Sequence, residues 1–214
     1  MNVKRRTPEE TYKSALQKAQ LALPALRPQE VAVQAGVVYH PYDTKKGEFQ
    51  VPFFGEIYQV LWPDGTVQGA DPQQETDITT RILLLHYLLT ADGMPLADRW
   101  IAFRNLPGGL GYDAAFQGRA NLRIAHAFGA DRAAFEAAAQ ALSGEALSFG
   151  NASFAFRIAP RLWLAVVLYL ADEEFPASAN VLFDAAASHY LPTEDLAVLG
   201  GLLAGRLVKA APKR

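Results

Sequence analysis

The chain has 214 residues, half of them hydrophobic, with a net charge of −2 and no cysteine. That length and apolar content support one core in a single domain, 1–214, with the helix of residues 1–24 at its periphery. Without cysteine, disulfides, thiolate metal sites and iron–sulfur ligation by this chain are excluded, and the small net charge excludes a global field for nucleic acid or anionic lipid.

The opening "MNVKRRTPEETYKSALQKAQ" is basic and then amphipathic. It lacks the apolar stretch of about 7–15 residues that a secretory signal needs. The longest apolar runs, such as "LWLAVVLYLA" at 162–171, are too short to span a bilayer. These features set the expectation of a cytoplasmic protein with no membrane and no nucleic-acid partner. "TPEETYKSALQKAQLAL" reads as a first helix, with Thr7 as its cap, Pro8 in the first turn, and Glu9 and Glu10 at the positive end of the dipole. Pro24 and Pro28 break it, and "PQEVAVQAG" reads as a short helix ended by Gly36.

From Phe49 the period changes to two. Phe49, Val51 and Phe53 alternate, Gly55 turns a hairpin and Pro63-Asp64-Gly65 turns another, which predicts a β-meander around residues 48–68. "ETDITTRILLLHYLLTADG" returns to helix over about 77–91, capped by Thr76 or Asp77 and ended by Gly93. It is apolar nearly all round from Ile82 to Leu89, so it is expected to be buried, with His86 as a neutral core histidine.

"RWIAFRNL" reads as a short strand, and "PGGLG" after it as a tight turn. Its glycines and Arg104, Arg119 and Arg123 suggest anion binding only weakly, because no Walker or G-x-G-x-x-G pattern is present. Two helices follow, "YDAAFQGRANLRIAHAFG" with Gly129 as its stop and "DRAAFEAAAQALSG" with Asp131 as N-cap. "ASFAFRIAP" and "LWLAVVLYLAD" read as strands split by Pro160, the second apolar enough to be a central strand at 162–170. "EEFPASANVLFDAAASHYLP" reads as a loop with a helical or mixed insert. "TEDLAVLGGLLAGRL" is the last helix, capped by Thr193, with Gly200, Gly201 and Gly205 permitting close packing. Strands and helices in separate runs define an α+β fold with an antiparallel or mixed sheet.

Two strings resemble each other, "LHYLLTAD" at 85–92 and "SHYLPTED" at 188–195, in a chain with four histidines. The first lies at the end of a helix and the second ahead of one, and their flanks differ. The likeness therefore reads as accident rather than as duplicated modules.

The acidic residues are unevenly placed. From Leu162 to Gly205 there is no Lys or Arg, yet this stretch holds Asp172, Glu173, Glu174, Asp184, Glu194 and Asp195. An apolar strand delivers Asp172 and Glu173 into a loop, and Asp184, His189 and Tyr190 follow. Asp172, Glu173, Asp184, His189 and Tyr190 form the candidate binding site. Carboxylates with one imidazole suit either a metal or cofactor ligand set or acid–base chemistry, with Asp172 or Glu173 partnering His189. The spacing matches no specific metal motif, and the serines sit in no nucleophile elbow.

"FQVPFFGEIYQVLWPDG", "LLLHYLLTADGMPL", "WIAFRNLPGG", "DEEFPASANVLFD" and "HYLPTEDLAVLG" occur in this order. Together they resemble a bacterial and archaeal family of unknown function that is frequent in anaerobes, over about residues 25–208. Some of its members carry a cysteine-rich iron–sulfur segment. The resemblance implies a place near redox or corrinoid metabolism, with any cluster on a partner protein, since this chain has no cysteine. The expectation is a non-catalytic module that binds a cofactor, a metal or a redox partner protein, with homo-oligomerisation left open. The alternative is a small acid–base or metal-assisted enzyme.

Overall fold

A computed structural model describes residues 8–71 and 73–212. Thr7, read above as a helix cap, lies outside the described residues, as do the side chains of Pro8 and Glu9. The fold is α+β, with helices and two antiparallel sheets. The chain divides into two compact units: residues up to Met94 with His189–Leu191, and Pro95–Ser188 with the stretch from Pro192 onward.

In the first unit the period-two pattern becomes a meander. Strands β1 (Val38–Pro41), β2 (Gly47–Phe53), β3 (Glu56–Trp62) and β4 (Val67–Gln68) pair antiparallel in that order. Phe49, Val51 and Phe53 face inward and are buried. The β2–β3 turn needs two residues with positive φ, Phe54 at 52° and Gly55 at 80°. That mirror-image turn matches the right-handed twist of the strands it joins. β1 is an addition to the expected meander; its exposed four-residue edge carries no apolar alternation that reads as a strand.

Helices α1 (Pro8–Ala22), α2 (Pro28–Ala35) and α3 (Ile78–Thr90) belong to the same unit. Leu16 and Ala19 of α1 are buried, and α1 packs on α3. The Asp77 carboxylate caps α3 by accepting from the Thr80 amide at 3.0 Å. Ile82, Leu83, Leu84, Leu85, Tyr87 and Leu88 are buried, as their continuous apolar run requires, while His86 is half-buried. The buried Tyr87 hydroxyl donates to the Ala35 carbonyl at 2.7 Å, satisfying a polar group inside the core.

The second unit holds the other sheet. Its strands are β5 (Trp100–Ala102), β6 (Glu145–Leu147), β7 (Ala152–Ala159), β8 (Leu162–Tyr169) and β9 (Ser178–Asp184), in the order β5-β9-β8-β7-β6. The uniformly apolar β8 is its central strand, flanked on both sides. The segment 178–184 is a strand, not a loop with a helical insert. Ala179, Val181 and Phe183 alternate inward, and the bonds to β8 and β5 override the helix-favouring alanines nearby. β5 covers only 182–184 of β9, so the Val181 amide finds its acceptor elsewhere, in the buried Asn121 Oδ1 at 2.9 Å.

Asn121 closes a π-helical segment, Gln117–Asn121, between α4 (Asp113–Phe116) and α5 (Leu122–Phe128). The expected helix over this stretch is thus one run with a π segment inside it. Helix α6 (Arg132–Ala141) starts on Asp131, whose carboxylate accepts from Ala134 N at 2.9 Å. The last helix, α7 (Thr193–Ala210), begins after Pro192 and has no side-chain cap. Thr193 differs from its expected role, because its hydroxyl donates to the Pro107 carbonyl at 2.6 Å. Among the described residues no helix is long and apolar enough to cross a membrane.

Candidate functional site

The helix α3 ends at Thr90, and the chain leaves it extended through Ala91. Asp92 follows, and one of its oxygens accepts from the Met94 amide at 2.9 Å, which fixes the carboxylate in a tight turn. The other oxygen meets His189. His189 Nδ1 lies 2.6 Å from Asp92 Oδ2, a charge-assisted distance. Residues 97 positions apart are therefore joined inside the first unit. Tyr190 continues the clamp: it is fully buried, its ring lies 5.8 Å from that of Tyr87, and its hydroxyl donates to the Met94 carbonyl.

The two similar strings thus meet in space, the Tyr of one on the Tyr of the other and the Asp of the first on the His of the second. Their backbones differ. The first is helical through Thr90, while His189 ends a 3-10 turn, Ala187–His189, which agrees with the reading that they are not duplicated modules.

A carboxylate on Nδ1 sets the chemistry of the ring. In the neutral form Nδ1 carries the proton and donates it to Asp92, which leaves the Nε2 lone pair available. Among the described residues Nε2 has no partner. The side chains of His189 and Asp92 are 37% and 50% exposed, so the pair is reachable from solvent. The hydrogen bond from His189, followed by that from the Met94 amide, holds the Asp92 carboxyl below the ordinary carboxylate value.

The other expected site residues stand apart from this pair in their bonding. Asp172, Glu173 and Asp184 belong to the second unit, whereas His189 and Tyr190 belong to the first. The Asp172 carboxylate accepts from the amides of Glu174 at 2.9 Å and Phe175 at 2.7 Å, closing its own loop. Glu173 is exposed. Asp184 is buried at the end of β9, and its Oδ1 accepts from Ala97 N at 3.0 Å and Ala186 N at 2.8 Å. Buried Glu48 is likewise satisfied locally, by the Tyr42 hydroxyl and by Gln50 Nε2 at 3.4 Å. Among the described residues no three His, Cys, Asp or Glu side chains gather into a set that could hold a metal ion.

"LPGGLG" is a tight turn with close packing. A Cβ on Gly109 would stand 2.1 Å from the Phe103 carbonyl oxygen, so only glycine fits there. His189 and Tyr190 stand out in the sequence, whereas Asp92 reads there only as part of a helix ending. The available signal was the shared string itself, which carries His, Tyr and Asp in both copies.

The chain belongs to the family described as a domain of unknown function, DUF3786, which it matches over residues 27–206. The match takes in Asp92, His189 and Tyr190. No curated protein and no solved structure matches the chain.

Proposed function

We propose that this protein is a non-catalytic cofactor-binding module in which His189 is the ligand-bearing residue and Asp92 its positioning residue. The observation that carries the reading is the 2.6 Å bond between His189 Nδ1 and Asp92 Oδ2. A carboxylate behind an imidazole fixes its tautomer and raises its basicity, the usual arrangement behind a metal-bound histidine. A bare divalent ion asks for about four or more protein donors, and none of the described clusters offers even three. A metal whose other donors come from a macrocycle needs only one imidazole, so the donor set fits a corrinoid or a haem better than a free ion. Such a cofactor carries the redox or radical chemistry, and the protein contributes binding and orientation.

The resemblance to an anaerobe family with iron–sulfur fusions supports the corrinoid choice, a bacterial or archaeal source and an iron–sulfur or corrinoid partner protein; a cytoplasmic setting is part of the same proposal. The family match runs through both units, which supports reading 1–214 as one domain. In this proposal Tyr190 locks the His189 segment, Asp184 serves the scaffold and Asp172 shapes its loop.

Visible absorbance titration with hydroxocobalamin and with hemin tests the reading. The wild-type chain is expected to shift the bands of at least one macrocycle, which His189 would hold through Nε2. His189→Ala is expected to abolish the shift, and Asp92→Asn to weaken binding about 10-fold. An unchanged shift in His189→Ala, or none in the wild type with either macrocycle, refutes it. The same pair also favours a second reading, acid–base catalysis by His189 Nε2 with Asp92 as orienting carboxylate in place of Asp172 or Glu173.

A further inference from the structure

At one end of the second unit's sheet, three large aromatic side chains stand in solvent. Tyr169, the last residue of β8, is 42% exposed; Phe149, before β7, is 49% exposed; and Phe175, between β8 and β9, is 66% exposed. The backbone brings them to the same sheet end. Asn151 N donates to the Leu168 carbonyl at 2.9 Å, and Asn151 Oδ1 accepts from Leu170 N at 2.8 Å, which pins the 149–151 turn to the end of β8. A Cβ on Gly150 would stand 3.3 Å from the Tyr169 ring. Tyr169 pairs with Ser178, so the connection that carries Phe175 leaves and re-enters the sheet at this end. Exposed aromatic groups at one sheet end offer apolar surface to a partner.

The same connection is acidic. Asp172 is exposed, and its carboxylate accepts from the Glu174 and Phe175 amides, a local turn that fixes the course of the loop. Glu173 and Glu174 are exposed, and neither side chain has a hydrogen-bond or ion-pair partner among the described residues. No Lys or Arg occurs from Leu162 to Gly205 to neutralise them. Arg132 lines the depression beside Phe149, and its guanidinium is engaged by Glu136 at 2.7 Å.

We propose that this sheet end docks a lysine- and arginine-rich segment of a partner protein. Its cations would meet Glu173 and Glu174, and their stems and guanidinium planes would lie over Phe149, Tyr169 and Phe175. Opposite charge steers the encounter, and the aromatic faces bind cations beyond simple attraction.

Fluorescence anisotropy with the full chain tests this. The probe is a short fluorescein-labelled Lys/Arg peptide, with a glutamine-substituted peptide as control. The wild type is expected to bind the basic peptide, more weakly as salt rises, and to leave the control unbound. Reversing both charges, Glu173→Lys with Glu174→Lys, is expected to weaken binding about 10-fold or more. Phe175→Ala, with an unchanged circular dichroism spectrum, is expected to weaken it about fivefold. Glu30→Lys, an exposed charge reversal in the other unit, should leave it unchanged. The proposal is overturned if the wild type does not bind, if it binds both peptides alike, or if Glu30→Lys weakens binding as much as the double reversal. It is equally overturned if Phe175→Ala or the double reversal has no effect.

Discussion

The Asp92 carboxyl is held below the ordinary value of 3.8, first by the hydrogen bond from His189 and then by the Met94 amide. A carboxyl with a depressed folded-state value stabilises the fold fully above its unfolded value. That contribution is lost as pH falls through the depressed value. The pair is half-exposed, so solvent screens it and the effect on stability is small. Acid unfolding of wild type and Asp92→Asn is therefore expected to show a stability gap at neutral pH that closes only below 3.8. A gap that persists unchanged into strong acid would mean that the carboxylate charge is not its source. At this scale the sequence was half legible. His189 stood out by rarity and, with Tyr190, by its place ahead of a helix. Asp92 did not, because local periodicity carries no information about a partner 97 residues away. Asp184 drew notice as one of the acids in a stretch without Lys or Arg, but the amides that occupy it come from positions that spacing alone does not connect.

Two adjacent glycines in α7 behave oppositely. A Cβ on Gly200 would stand 2.5 Å from Phe116 Cε2. Phe116 cannot swing aside: it is buried, stacked on Phe103 at 4.3 Å and packed beside Phe183 at 5.8 Å. Gly201 has nothing within 4 Å of the same added atom. Thermal or chemical unfolding should show Gly200→Ala destabilised by about 1–3 kcal/mol through overpacking. Gly201→Ala should gain up to about 1 kcal/mol from helix propensity. Equal effects of one sign would contradict the packing described for α7. The sequence marked all three glycines of this helix as close-packing positions, and only the structure separates them. Long periodic elements such as α3 and α7 were legible, as was β8 from its unbroken apolar run. The strand β9 was not, since Ser, Ala and Asn carry little strand preference and only its neighbours β5 and β8 make it a strand.

Across the whole molecule, the meander and the apolar central strand lie in different sheets, one in each unit. Composition and periodicity specified the α+β class but not this division, because hydrophobic patterning says which face is buried and not which sheet it joins. The segment His189–Leu191 shows the consequence. It lies late in the chain and packs within the first unit, where Leu191 and Tyr190 are fully buried and His189 reaches Asp92. The proposed function depends on one atom of that segment, Nε2 of His189. Long-range 1H–15N spectra of the imidazole, recorded on the intact chain above neutral pH with and without hydroxocobalamin, address that atom directly. A proton is expected on Nδ1, with Nε2 unprotonated and a shift confined to Nε2 of His189 when the corrinoid binds. A proton on Nε2, or corrinoid binding that leaves His189 Nε2 unmoved, would contradict it.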